Sequence, residues 1–216
     1  MEDTYRHKGL RIRLVEHLRE KGIKDEQVLE AINAVPRHFF LDKAFEELAY
    51  EDKAMQIGEG QTISQPFTVA FQTELLKVSK RMKVLEIGTG SGFQAAVLSV
   101  LGARVYSIER HESLFLKARY MLDALEMTNV RLFFNDGTRG LGEFAPFDRI
   151  IVTCAAEKVP EVLLSQLSSD GIMVIPVGEN NAQKMLRIQK NTDNEYIYET
   201  FSEFKFVPLL SGKNYA

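Results

Sequence analysis

From Met82 onward the chain repeats one alternation that limits its fold more than any other feature. "MKVLEIG", "ARVYSIE", "VRLFFND", "FDRIIVT" and "GIMVIPVG" are apolar runs of strand length. "FQAAVLSVLG", "ESLFLKARYMLDALE" and "VPEVLLSQLSS" stand between most of them, with apolar residues at helical spacing. Strands joined through helices pair in parallel, because a parallel neighbour is reached only by a long crossover, and the helices then cover the sheet faces. The ending departs from this rule. "KMLRIQK" and "SEFKFVPLL" read as strands with only the polar "NTDNEYIY" between them, which predicts an antiparallel hairpin at one edge. The expected fold is α/β: a Rossmann-like, doubly wound, mostly parallel sheet with an antiparallel edge hairpin and a helical N-terminal elaboration.

That elaboration occupies the first 80 residues. "LRIRLVEHLREKG" puts Leu10, Leu14, Val15 and Leu18 on one helical face and stops at Gly22. "DEQVLEAINAVP" repeats the pattern, with Asp25 as cap, Val28, Ile32 and Val35 inward, and Pro36 as terminator. Residues 37–64 read as a mixed segment, with a short helix around Phe45 and then an irregular loop. A further helix is expected from Pro66 to about Val78, with Phe71, Leu75 and Val78 on one side. No linker composition or repeat divides the chain. The 216 residues are therefore read as a single domain, 1–80 carrying the elaboration and an active-site loop and 81–216 the core.

Bulk properties narrow the partners. A net charge of -3 and a pI near 5.9 offer no electrostatic attraction to nucleic acid. No apolar run is long enough to span a bilayer, so no membrane partner is expected. The N-terminal stretch mixes charges throughout and lacks the apolar core of a signal peptide. Cys154 is the single cysteine, which excludes an internal disulfide and suits a reducing, cytoplasmic setting. A monomer is expected.

The densest chemistry lies in "VLEIGTGSGFQAA", where a strand enters a glycine-rich turn that opens a helix. Glycines there let the backbone approach a ligand closely. The turn is not a dinucleotide fingerprint, because Phe93 stands where its last glycine would be, and it lacks the Lys-Ser/Thr of a phosphate-binding loop. The spacing Gly88, Gly90, Gly92 preceded by Glu86 suits a ligand without phosphates, with Glu86 able to accept a hydrogen bond from an amine. Glu109 ends "VYSIE", where an acid can accept from both hydroxyls of a ribose. Asp136 follows "VRLFFN" and can accept from an adenine amino group. Glu109 or Asp136 alone would more often be a solvated strand end; their placement at the carboxyl ends of consecutive strands, beside the glycine loop, favours a ligand. Amine, ribose and adenine handles without a phosphate site describe S-adenosylmethionine.

Several segments, in order and over nearly the whole chain, carry a more specific likeness: "VPRHFF", "AYEDKAMQIGEGQTISQPFTVAFQTELL", "VLEIGTGSGFQAAVLS", "VYSIE", "NDG", "PFDRIIVTCAA", "QLSSDGIMVIPVG" and "FKFVPL". The chain resembles the protein-L-isoaspartate O-methyltransferases, class I enzymes that use S-adenosylmethionine. "EIGTGSG" marks only the wider class; "GQTISQP" with "VPRH" and "FVPL" is the specific part. Departures are small: Ala54 and Gln56 stand where the family usually has prolines, Glu59 where histidine is common, Phe93 for tyrosine and Asn135 for glycine. The resemblance implies methyl transfer to the free carboxylate of L-isoaspartyl residues in damaged proteins and peptides, a first step of repair. It implies cofactor contacts from Gln61, Thr62, Ser64, Glu86, Gly88, Thr89, Gly90, Ser91, Gly92, Glu109, Arg110, Asp136 and Gly137.

A carboxylate acceptor titrates near ~4 and is already ionised at neutral pH, so the reaction needs no general base. Neutral hydroxyl donors can orient it without over-stabilising the ground state. Thr62 and Ser64 are such donors, and the resemblance points to Ser64 as the catalytic position. Locally, Ser64 is ambiguous. It could cap the helix that follows, although Pro66 at the first helical position would make Gln65 the cap, and Phe67 breaks the capping-box pattern. His7, His17, His38 and His111 lack metal-ligand spacing and Cys154 has no partners, so no metal is expected. The alternatives are a methyltransferase with another substrate and a silent module that binds S-adenosylmethionine without turnover.

Overall fold

The structure, a computed structural model, describes residues 2–179 and 182–215. Helix α1 (Tyr5–Glu20) is capped at Thr4, whose hydroxyl accepts from His7 N while the His7 ring takes the Thr4 N–H. Helix α2 (Glu26–Ala34) starts at Asp25, which accepts from the N–H groups of Gln27 and Val28, as expected. Both helices pack on α3 (Pro66–Leu76), and α2 also on α4 (Phe93–Val100). The expected short helix around Phe45 is a 3₁₀ turn, Lys43–Leu48, preceded by another over Arg37–Phe40.

The segment expected to end as an irregular loop is instead a hairpin, β1 (Met55–Gly58) with β2 (Gln61–Ile63). Its two-residue turn is Glu59-Gly60, both at positive φ, the mirror-type turn that matches the twist of paired strands. Met55 and Ile57 point inward in the period of a strand.

The main sheet contains β3 (Lys83–Ile87), β4 (Arg104–Glu109), β5 (Val130–Phe134), β6 (Phe147–Val152), β7 (Leu167–Val177), β8 (Gln183–Lys190) and β9 (Tyr196–Phe204), in the spatial order β5-β4-β3-β6-β7-β8-β9. The first five strands are parallel, and β8 and β9 continue antiparallel, so the edge hairpin is present. Alternate residues feed two cores: Val84, Val105 and Ile151 face α2–α4, whereas Leu85, Ile87 and Ile150 face the opposite side.

Two boundaries differ from expectation. The helix in "VPEVLLSQLSS" covers only Glu161–Ser165, designated α6, because Leu167 already pairs with Phe147 and the strand kinks through Asp170 at φ 58° and Gly171. The final strand begins at Tyr196, earlier than expected, since Asn191–Glu195 forms the turn with the Asn191 side chain accepting from Glu195 N. Polar residues persist in β9 because an edge strand keeps one side in water. "FVPLL" then leaves the sheet.

That segment runs back over the carboxyl ends of the strands. Ala155 N donates to Val207 O and Leu209 N to Ala155 O (2.8 and 2.7 Å), and Asn214 N reaches Arg110 O at 2.7 Å. Helix α5 (Glu112–Ala124) follows β4. The chain leaves β3 for β4 on one side while β6 lies on the other, which opens a crevice at their carboxyl ends, the usual ligand position in such sheets. Among the described residues, no helix is long and apolar enough to cross a membrane.

Candidate active site

The glycine turn is built from backbone that side chains would block. Gly88 has φ 95°, and a Cβ there would lie 2.6 Å from Thr153 Oγ1. That hydroxyl donates towards the Ile87 and Gly88 carbonyls, at 2.9 and 2.7 Å, and ties the turn to the end of β6. Gly92, at φ 90°, lies against α5, where a Cβ would press on Leu122 and Ala118. The turn borders a cavity at the crevice.

Of the residues expected to bind the cofactor, Gln61, Thr62, Ser64, Gly88, Thr89, Gly90, Ser91, Glu109, Arg110 and Gly137 line this cavity. Glu109 is nearly buried; its carboxylate accepts from Gly90 N and His111 N (2.8 and 2.9 Å), which leaves further lone pairs for a ligand. Arg110 is turned to the chain end, with Nε donating to Gly212 O at 3.0 Å. Thr89 and Ser107 share a hydroxyl contact of 2.5 Å, and Ser91 Oγ accepts from Phe93 N.

Glu86, Gly92 and Asp136 do not line the cavity. Glu86 is fully buried beneath the turn, and among the described residues neither carboxylate oxygen has a hydrogen-bond partner. Burial pushes its carboxyl up to about 8; Ser107 opposes the shift and the Glu109 carboxylate adds to it. Asp136 accepts from Thr138 N and Oγ1 and from Gly212 N, at 2.9, 2.7 and 2.8 Å. Burial alone would raise the Asp136 carboxyl, but these hydrogen bonds outweigh it and hold the group below its ordinary value.

Thr62 and Ser64 project from the end of β2 and the link to α3. Gln65 occupies the helix cap without a side-chain capping bond, and Pro66 is the first helical residue. The capping role goes elsewhere: Asp52 Oδ1 accepts from Phe67 N at 2.8 Å. Neither the Thr62 nor the Ser64 hydroxyl takes a hydrogen bond from the described residues. Both line a second, open groove as well, together with Thr153 and Val207, which also belong to both walls. Phe67, Phe204 and Phe206 give that groove an aromatic side, and Lys21 and Lys205 lie along it.

Sequence reasoning missed part of the wall. Ile63, Val69, Gln94, His111, Thr153, Cys154 and Val207–Leu210 all line the cavity. "FVPL" was visible as a motif, but nothing local showed that it turns back over the crevice. The side-chain oxygen of Gln94 is buried without a partner. A ligand with a cationic or amine head and a ribose suits these acceptors, and the guanidinium on the wall, Arg110, is turned to Gly212 O. Burial pushes the Cys154 thiol up to about 12, so it is an inert wall group. Asp3 and His7, one helical turn apart, meet the more distant His38 near the N-terminus. Arg11 grips both Asp3 oxygens, His38 Nδ1 meets Tyr50 OH at 2.6 Å and His7 Nε2 meets Glu46 at 3.0 Å, so the cluster is already satisfied.

Comparison with known proteins agrees on one family. The family model described as protein-L-isoaspartate(D-aspartate) O-methyltransferase matches residues 10–214. A protein-L-isoaspartate O-methyltransferase of Cytophaga hutchinsonii is 57% identical over 99% of this chain and 96% of its own. One of Flavobacterium psychrophilum is 53% identical over 99% of this chain and 100% of its own. Among solved structures, a protein-L-isoaspartate O-methyltransferase superposes with a TM-score of 0.83 at 31% identity, over 92% of this chain and 65% of that one. A Plasmodium falciparum chain described as such an enzyme, solved with S-adenosyl-L-homocysteine, shares the fold with a TM-score of 0.81 at 24% identity, over 94% of this chain and 98% of that one.

Proposed function

Since the chain belongs to the protein-L-isoaspartate(D-aspartate) O-methyltransferase family, we infer that it methylates the free carboxylate of L-isoaspartyl residues in damaged proteins and peptides and so starts their repair. The cofactor is S-adenosylmethionine, which supplies a methyl group on a sulfonium. The observation that carries the reading is the position of Thr62 and Ser64: two hydroxyls, unpartnered among the described residues, on the wall shared by the crevice and the outer groove.

The acceptor carboxylate arrives ionised, and the products are an ester and a thioether, so no proton has to be removed. The chain's task is placement. In this reading Ser64, with Thr62 beside it, donates to the carboxylate and aims one oxygen into the crevice. Neutral donors suit this role, since a lysine or arginine would stabilise the anion before reaction more than in the transition state, where its charge is being lost. Glu109 holds the ribose hydroxyls, the 88–91 turn and Gly137 receive the rest of the ligand, and Gln61 and Arg110 complete the rim. Glu86, Gly92 and Asp136 act one layer behind, under the turn, between turn and α5, and at the chain end. Ile63 and the 207–210 segment exclude water from the reacting atoms. The acceptor peptide lies along the aromatic groove.

The decisive assay uses labelled S-adenosylmethionine with matched isoaspartyl and aspartyl peptides. Base-labile methyl ester on the isoaspartyl peptide alone is expected; label on neither peptide, with the cofactor still bound, overturns the reading. Ser64→Ala is expected to lower kcat by about 10- to 100-fold, since a lost placement bond strengthens the barrier by roughly 1.4–2.7 kcal/mol, while cofactor affinity stays within a few-fold. Unchanged turnover would make Ser64 structural. The same reading takes the chain as one domain working as a monomer in the cytoplasm; its net charge of -3 gives it no electrostatic attraction to nucleic acid.

A further inference from the structure

Glu59 stands in the turn of the β1–β2 hairpin at φ 54°, a left-handed conformation unfavourable for a residue with a Cβ and better suited to glycine or asparagine. Such a residue persists where its surroundings demand it. Here the side chain reaches the start of α5. Glu59 Oε1 accepts from Ser113 Oγ at 2.7 Å, and Oε2 lies 3.7 Å from His111 Nδ1. His111 occupies the cap position of α5 but makes no side-chain capping bond, so the Glu59 carboxylate also supplies negative charge at a helix N-terminus that lacks a capping side chain.

The hairpin held by this contact forms one side of the crevice. Ile57 of β1 packs on the glycine turn, 3.5 Å from where a Gly90 Cβ would lie, and Gln61, Thr62 and Ile63 of β2 line the cavity. Glu109, Arg110 and His111, directly before α5, line the same cavity. Glu59 therefore joins the hairpin to the start of α5, two parts of the cavity's surroundings, and lifting the hairpin from the crevice breaks its contact with Ser113.

We propose that Glu59 is a positioning residue: it clasps the hairpin carrying Thr62 to α5 and so slows release of the bound S-adenosyl ligand. The proposal rests on the cofactor reading of the crevice. It does not depend on the acceptor.

The test measures the dissociation rate of S-adenosylhomocysteine, with no peptide present, alongside thermal stability. Glu59→Asn suits the left-handed turn and is too short to reach Ser113. Loss of a hydrogen bond to a charged group predicts release about fivefold faster or more, with Tm equal to or above the parent. Glu59→Gln keeps an acceptor for Ser113 and is expected to release within about twofold of the parent. Adding Ser113→Ala to Glu59→Asn gives no further acceleration. Release unchanged in Glu59→Asn, or equally fast in Glu59→Gln, overturns the clasp, as does a further acceleration by Ser113→Ala. Because the readout is binding, the clasp can fail while isoaspartyl methylation stands, and the reverse.

Discussion

Glu86 carries a carboxyl group that is fully buried beneath the glycine turn, with neither oxygen hydrogen-bonded among the described residues. With its titration moved from an ordinary 4.5 up to about 8, the folded chain keeps a proton that the unfolded chain has released across this window. Folding then takes up a proton, so stability is greatest below pH 4.5 for this group and falls as pH rises to about 8. The slope is at most about 1.4 kcal/mol per pH unit. Glu86→Gln removes it. Thermal denaturation of the ligand-free protein should therefore show a variant more stable than the parent at pH 8 and close to it at pH 5. A parallel pH dependence in both proteins would mean that Glu86 is ionised in the fold. From the sequence, Glu86 looked like a direct partner for a ligand amine; strand alternation instead turns it under the turn.

At the scale of elements, the start of α3 shows how placement is divided. Asp52 accepts from Phe67 N, from Gln65 Nε2 at 3.0 Å and from Lys21 Nζ at 2.6 Å, and so joins the end of α1 to the helix that follows Ser64. Burial alone would raise the Asp52 carboxyl; Lys21, Phe67 N and Gln65 together hold it below its ordinary value. Its stabilisation is therefore present at neutral pH and lost as pH falls through that depressed value. Asp52→Ala removes the cap and is expected to cost about 1–2 kcal/mol in denaturant unfolding. It should also lower kcat, because the turn that presents Ser64 loses its anchor. Unchanged stability would show that Gln65 or water caps the helix equally well. Here local sequence identified the right gap: Gln65 at the cap position left Ser64 free, but Asp52, 15 residues before the Phe67 N–H it caps, could not be read from spacing.

For the molecule as a whole, the chain end completes the crevice. Val207–Leu210 line it, and Gly212, through Asp136, fastens the segment across the strand ends. Truncation before Val207 leaves every strand in place and removes one wall. We expect S-adenosylhomocysteine binding to weaken by about tenfold or more, equivalent to roughly 1.4 kcal/mol, with the far-ultraviolet circular dichroism largely retained. Binding at parental strength would show that the remaining walls suffice.

The order and type of the main elements were readable because hydrophobic period and crossover length are local properties. "VLEIGTGSG" and Glu109 could be found the same way, since each lies at the end of a recognisable strand, whereas Ser64 was locally ambiguous and stood out through the family resemblance. Other features depend on which distant segments meet. The Glu59-Gly60 turn became a hairpin through the packing of Met55 and Ile57, and "FVPLL" became a wall through its pairing with Ala155. Likewise, Asp136 gives its acceptors to Thr138 and Gly212, and Glu59 meets Ser113 across 54 positions. The sequence by itself determined the sheet, the glycine turn and the chemical types at the site. Only the tertiary structure decided which of those groups face the crevice and what holds its rim, because that depends on contacts between residues that no local period brings together.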